Sequence, residues 1–386
     1  MKVLQIHNKY RHYGGEDAVV DNEFKLLKAN NIEVNQLFFN NEELSLGAFF
    51  FNRTSFLKTI NEIKLHKPDV VHVHNIFYKA SPSILMASKK MNVPVVITLH
   101  NFRLLCSGAL FLRNSEVCIK CKNLIYPYHG VLNKCFQNSY SKSLILSTFI
   151  GINKYFNTWD KYIDNVILLT PFIRNLIKNS SLEINVNKLL IKPNSTDDFI
   201  EDNTLEKVRD GFLFVGRLSK EKGIDTLIKI FNNLSHLKLD IIGSGELELD
   251  LTRKANSNIT FHGKQERSFI KQKLLKTKAL LFPSICYEGL PNTIIESFSS
   301  GTPVIANNID NINEIIEDNF NGKIMNFKID KETIQKIDEF DKKDLTEYQI
   351  NSRNTYLSKY THEENFKNLH QIYYNLINNE KKNNKC

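Results

Sequence analysis

Two glutamates eight positions apart, Glu288 and Glu296, lie in the stretch FPSICYEGLPNTIIESFSSGTPVIA that runs from Phe282 to Ala306. The pattern predicts a strand ending at Phe282, a loop carrying Glu288, and a helix opening near Pro291 with Glu296 inside it. Proline suits a first helical turn because the N–H it lacks has no partner there. The amide groups at such a helix start, with the positive end of the helix dipole, form a site for a diphosphate. A carboxylate accepts from two neighbouring hydroxyls, so one glutamate suits a sugar and the other a ribose, on either side of the phosphates. The same spacing also allows a plain loop charge and a helix-face charge. A pair of glycosidase carboxylates is a further reading, although those face each other across the scissile bond with no phosphate cradle between them.

A second group follows another strand in VGRLSKEKGIDTL, from Val215 to Leu227. Arg217 and Lys222 place two cations there, and Gly216 and Gly223 permit tight backbone. Alone they read as surface charges; in one domain with the glutamate pair they suit a diphosphate and the negative charge that grows on a leaving nucleotide. A dinucleotide-binding reading fails at Gly243-Ser244-Gly245, because the third glycine position of G-x-G-x-x-G is Glu248, and it fails after the first strand too.

Gly14-Gly15 after the first strand, G-R-x4-K-G at Gly216 to Gly223, G-S-G-E at Gly243 to Glu246, and E-x7-E from Glu288 to Glu296 together resemble glycosyltransferase family 4 over nearly the whole chain. The E-x7-E segment, with PS before it and S-x-G-T-P-V-I-A after it, is the specific part. The resemblance implies a GT-B fold, a retaining mechanism and no metal for the chemistry, in agreement with the lack of a clear D-x-D strand-end motif. It implies that Glu288 holds hydroxyls of the donor sugar, Glu296 the ribose, and Arg217 with Lys222 the diphosphate. Gly289, Leu290, Pro291 and Asn292 would line the sugar and phosphates, and Gly243, His262 and Gly263 would lie near the base. Gly14 and Gly15 would form a first-domain loop approaching donor and acceptor, and His100 would contact the donor sugar or acceptor. A non-catalytic nucleotide-sugar or glycan binding protein on the same fold is the alternative, since fold does not fix function.

His100 follows the apolar run VPVVITL and is expected at a strand end. In VVHVHN the histidines His72 and His74 are expected to alternate so that one faces the cleft, with His74, nearer the strand end, the acceptor-side candidate. Of six cysteines, Cys106, Cys118, Cys121 and Cys135 fall within thirty residues. Their single C-x2-C supplies one side of a tetrahedral site, so a structural zinc and four reduced thiols are both open.

These residues need elements that set them at strand ends. Short apolar runs alternate with longer stretches of helical periodicity: KVLQIHN, IEVNQLFF, DVVHVHN, VPVVITLH and VILLTP in the first half, then GFLFVGRL, LKLDIIGSG, NITFHG, ALLFPS and PVIAN. Continuous apolar runs of this kind read as buried parallel strands with crossover helices. At 386 residues the chain exceeds what one core usually serves. The expected architecture is α/β: two doubly wound Rossmann-like domains facing each other across a cleft. The expected divisions are an acceptor-side domain over 1–193 with a cysteine-containing insertion at 104–137, a nucleotide-sugar domain over 194–361, and a helix over 362–386 packing back on the first domain. A polar linker spans Ser195 to Asp210, and a basic tail carries Lys381, Lys382 and Lys385.

Hydrophobic residues at 42% and charged residues at 24% are ordinary for a globular protein, and no apolar run reaches membrane-spanning length. The N-terminus is too polar for a secretory segment, so a cytoplasmic location is expected. The net charge of +9 fits solvated lysine faces or an anionic membrane surface, which the run Phe49, Phe50, Phe51 could dock. Nucleic acid is not expected, because no basic-and-aromatic recognition motif accompanies the charge.

Overall fold

The computed structural model describes residues 1–9, 13–41, 49–200 and 208–383, with side chains to residue 379. The side chains of the basic-tail lysines and part of the polar linker lie outside the described residues. The chain divides into two compact units, one formed by Met1–Phe111, Ile119–Asn194 and His362–Cys386, the other by Leu112–Cys118 and Ser195–Thr361.

In the first unit, β1 (Lys2–Lys9), β2 (Glu33–Asn40), β3 (Val70–Asn75) and β4 (Val95–Leu99) precede a small antiparallel hairpin, β5 (Leu112–Arg113) and β6 (Glu116–Val117); β7 (Asn165–Leu168) and β8 (Leu189–Ile191) follow. All but the hairpin pair in parallel, in the order β2-β1-β3-β4-β7-β8. Every residue of β3 and β4 is buried, which is why they read as unbroken apolar runs rather than alternating ones. The terminal helix His362–Asn383 joins this unit: its Leu369, Tyr373 and Leu376 share a core with Val3, Leu27, Val34, Val70, Val96 and Ile167. The hairpin groups with the second unit, in contrast to the expected insertion wholly in the first; two two-residue strands enclose no core of their own.

The second unit contains β9 (Phe212–Val215), β10 (Leu239–Ile242), β11 (Ile259–Phe261), β12 (Ala279–Phe282), β13 (Val304–Asn307) and β14 (Gly322–Met325), all parallel, in the order β11-β10-β9-β12-β13-β14. Its core joins Phe212, Phe214, Ile228, Phe231, Ile241, Leu281 and Ile305. Strand order reverses between β9 and β12, and ligands of open α/β sheets bind beyond the carboxyl ends of strands at such a reversal. The corresponding reversal in the first unit lies between β1 and β3.

No described helix is long and apolar enough to cross a membrane. The Phe49–Phe51 run corrects an expectation: Phe49 is buried, stacked on Tyr78 with its ring centroid 5.1 Å away and set edge-on to Phe149 at 4.8 Å. Only Phe51 of the three is exposed. The aromatic partners supplied by Tyr78 and Phe149 turn Phe49 inward.

Candidate functional site

The two loops at the β9/β12 reversal are stitched together. The Ile285 amide donates to the Glu221 carbonyl at 2.9 Å, and Ser284 Oγ lies 3.2 Å from the same oxygen. Gly223 makes this approach possible. Its φ is +70°, and a Cβ there would lie 2.0 Å from the Pro283 carbonyl oxygen. The result brings Lys222 against Glu288, with Nζ 2.5 Å from Oε1, and Ser284 Oγ donates to the same oxygen at 2.7 Å. Burial opposes the Lys222 ammonium, but the Glu288 charge and hydrogen bond outweigh it and hold the amine above its usual value. Asn311 Nδ2 fixes the Glu288 carbonyl at 2.6 Å, and Asn307 Nδ2 fixes that of Ser284 at 3.0 Å. The neighbouring Cys286 is no nucleophile: burial, then the Glu288 charge, pushes its thiol up to about 12.

Past Gly289 and the buried Leu290, the helix Asn292–Ser299 begins one residue later than expected. Pro291 is its N-cap, with φ −64° and ψ 121°, and Asn292 is its first residue. One turn in, Glu296 is largely buried, and burial raises its carboxyl to about 7 against the opposing charge of Arg267. Arg267 Nε lies 3.5 Å from Glu296 Oε1, an ion pair without a hydrogen bond, while its terminal nitrogens bond Asp197 and Thr196. Sequence reasoning missed Arg267 because it precedes Glu296 by a whole strand and its helix.

Arg217 is on the same β9 loop but reaches outward. Its side chain is 71% exposed, and Nη1 is 3.8 Å from Glu221 Oε1. The glycine ridge beyond β9 and β10 is tight: a Cβ on Gly243, whose φ is +140°, would lie 1.9 Å from the Gly216 carbonyl oxygen. The Gly243 amide donates to the Gly263 carbonyl at 2.8 Å. Beside them His262 Nε2 meets Asp240 Oδ1 at 2.5 Å, while the space above Gly263 is open.

In the first unit Gly14 caps the helix Gly15–Ala29 in extended conformation, and its amide donates to Asp17 Oδ2 at 2.9 Å. Asp17 Oδ1 also meets His7 Nε2 at 2.9 Å. His72 and His74 do not alternate; residues two apart on a strand share a face, and both are buried against Glu23 with ring centroids 4.2 Å apart. His74 therefore stands behind His100, to which its Nδ1 is bonded at 3.1 Å.

Cys106 and Cys121 are buried, and both act electrostatically on Lys154, whose amine burial lowers to about 8. Cys135 stands across Gly108 from Cys106, a Cβ on Gly108 lying 3.3 Å from the Cys135 carbonyl oxygen and 3.8 Å from Cys106 Sγ. Cys118 directly follows β6 and groups with the second unit.

Residues 195–358 match the family model described as Glycosyl transferases group 1. The chain is 29% identical over 250 residues to an uncharacterized glycosyltransferase of Methanocaldococcus jannaschii, a match covering 59% of this chain and 59% of that protein. The chain thus spans less than two thirds of that relative. Among solved structures, the lipopolysaccharide outer core galactosyltransferase in its apo form has a TM-score of 0.62 at 18% identity, over 97% of this chain and 99% of that one. The Anabaena HepE protein in complex with UDP has a TM-score of 0.65 at 16% identity, over 96% and 99%. Both share the α/β GT-B fold of two parallel-sheet units described above.

Proposed function

We propose that this chain, whose second unit is a glycosyl transferases group 1 domain, is a retaining glycosyltransferase. It moves a hexose-type sugar from a nucleotide diphosphate sugar to a glycan or lipid-linked acceptor in the synthesis of a cell-surface polysaccharide or glycolipid. The observation that carries the reading is the Lys222–Glu288 contact at the β9/β12 reversal, beside the amide end of the helix Asn292–Ser299.

A diphosphate arriving there competes with Glu288 for the Lys222 ammonium. The carboxylate is then released to accept from sugar hydroxyls, and charge-assisted bonds of this kind contribute about 1.5–3 kcal/mol each. Glu296, one turn along the helix, accepts the paired ribose hydroxyls. The nucleotide leaves, positive charge develops on the sugar, and the acceptor hydroxyl enters on the same face. Lys222, Arg217 and the helix amides stabilise the leaving diphosphate. Side chains supply the positive charge in this reading, so the chemistry calls for no metal ion. The Anabaena neighbour's UDP makes a uridine nucleotide the first to test.

A structural zinc on Cys106, Cys118, Cys121 and Cys135 belongs to the same proposal. Thiolates suit zinc. Elemental analysis of protein purified without chelators tests it: stoichiometric zinc is expected, and its absence removes the site.

The function is tested by a thermal-shift screen of nucleotide sugars, since a ligand that binds only the folded state raises its melting temperature. One donor should stabilise the protein and then release its nucleotide when a glycan acceptor is added. Stabilisation without release under any acceptor would favour a binding protein.

A further inference from the structure

The first unit buries a carboxylate, Glu23, on the helix Gly15–Ala29. From β3, His72 Nδ1 and His74 Nε2 lie 2.9 and 3.1 Å from its Oε1. Just past β8, Lys192 Nζ lies 3.3 Å from Oε2 and 3.2 Å from Asn365 Oδ1 of the terminal helix. From β1, Gln5 Nε2 is 3.4 Å from Oε1. His72 also meets Tyr373 of the terminal helix and Thr98 of β4, at 2.6 and 2.8 Å. Burial by itself would raise the Glu23 carboxyl, but His72, His74 and Lys192 outweigh it and hold Glu23 well below the usual range. A divalent cation bound by Glu23, His72 and His74 would stand beside that ammonium, so the group reads as an ion pair rather than a metal site.

His74 is bonded onward through Nδ1 to His100 Nε2, with ring planes 19° apart. Burial, then the neighbouring histidine charge, lowers His74 to about 4 and His100 well below its usual value. Both imidazoles are neutral near pH 7 and carry one proton each. His74 Nε2 faces Glu23 Oε1 at 3.1 Å and the Gln5 amide nitrogen at 3.2 Å. A lone pair aimed at an ionised carboxylate in a dry interior would be repelled, and a bond to a charged acceptor is about twice as strong as a neutral one. The proton is therefore on Nε2, and the Gln5 amide serves Val20 O and Glu23 instead. His74 Nδ1 is then an acceptor, and His100 Nε2 must be its donor. That leaves His100 Nδ1 unprotonated. No hydrogen bond among the described residues engages it, and His100, at the carboxyl end of β4, is only partly buried by relative exposure.

We infer that Glu23 is a positioning residue: acting through His74, it fixes His100 as the Nε2–H tautomer, so that His100 presents Nδ1 as an acceptor to a hydroxyl of the sugar substrate. The substrate clause rests on the function proposed above; the tautomer assignment does not.

The test uses full-length protein labelled with 15N-histidine and long-range 1H–15N correlation at pH 7.5 without substrate, the resonances assigned from His74→Gln and His100→Gln. Unprotonated Nδ1 and protonated Nε2 are expected at both residues. In Glu23→Gln the amide both donates and accepts, so mixed tautomers should appear, with transfer reduced at least about tenfold, as expected for a displaced tautomer, and UDP affinity unchanged. A protonated Nδ1 on His100 in the wild type overturns the inference, as do unaltered tautomers in folded Glu23→Gln. If Glu23→Gln does not fold, the wild-type spectrum alone decides. Correct tautomers in a protein that transfers no sugar would retain the assignment and overturn the substrate clause together with the proposed function.

Discussion

Gly223 and Pro283 come from loops sixty residues apart, yet a single added methyl at Gly223 would lie 2.0 Å from the Pro283 carbonyl oxygen. This close approach sets Lys222 against Glu288, because it holds the β9 loop on the β12 loop. Gly223→Ala combines a left-handed φ with a backbone clash. It should destabilise the second unit by at least about 2 kcal/mol and abolish nucleotide binding; chemical denaturation and calorimetry check the two parts.

Lys222→Ala leaves Glu288 without its cation and a diphosphate without its closest partner. Loss of a charge-assisted bond of about 1.5–3 kcal/mol should weaken nucleotide affinity roughly tenfold to hundredfold. Arg217→Ala should depress turnover more than affinity, because the negative charge it faces grows as the nucleotide leaves. Steady-state kinetics with donor titration separate the two.

Glu296 gives a pH signature. Its carboxyl titrates at about 7 in the folded protein, above its usual value, so the folded state binds the proton more tightly than the unfolded one. Stability is fully present below the unfolded value and falls as pH rises toward 7. Glu296→Gln should therefore raise the melting temperature at pH 8, by an amount equivalent to on the order of 1–3 kcal/mol, and do little at pH 4. Nucleotide affinity of the wild type should rise between pH 6 and 8 as the carboxylate forms.

Lys192→Met removes the buried ammonium facing Glu23. Breaking a buried pair on one side costs about 3–5 kcal/mol, which urea denaturation at pH 7 should register. Glu23 is held well below its usual value, so the wild-type advantage over this variant should shrink as pH falls through the acid range.

The strand-and-helix alternation was legible because buried parallel strands such as VVHVHN leave continuous apolar runs. The edge strands β8 and β14, only partly buried, were missed. The proximity of Lys222 to Glu288 followed from both lying after strands of one sheet. Arg267 beside Glu296 did not, since no local pattern links a helix residue to one on the next helix across an intervening strand. The Glu23–His74–His100 chain was hidden for the same reason, joining residues 51 and 26 positions apart, and by treating His72 and His74 as opposite-facing when strand geometry puts them on one side. Phe49 resembled a surface anchor because its aromatic partners, Tyr78 and Phe149, are remote in sequence.

Lys222, Glu288 and Glu296 are expected to hold a nucleotide sugar together. Isothermal titration of UDP and of UDP-sugars into the wild type, Lys222→Ala and Glu296→Ala tests it most directly. Saturable binding to the wild type, weakened at least about tenfold in each variant, is the expected result. Binding of equal strength in all three proteins would contradict the account.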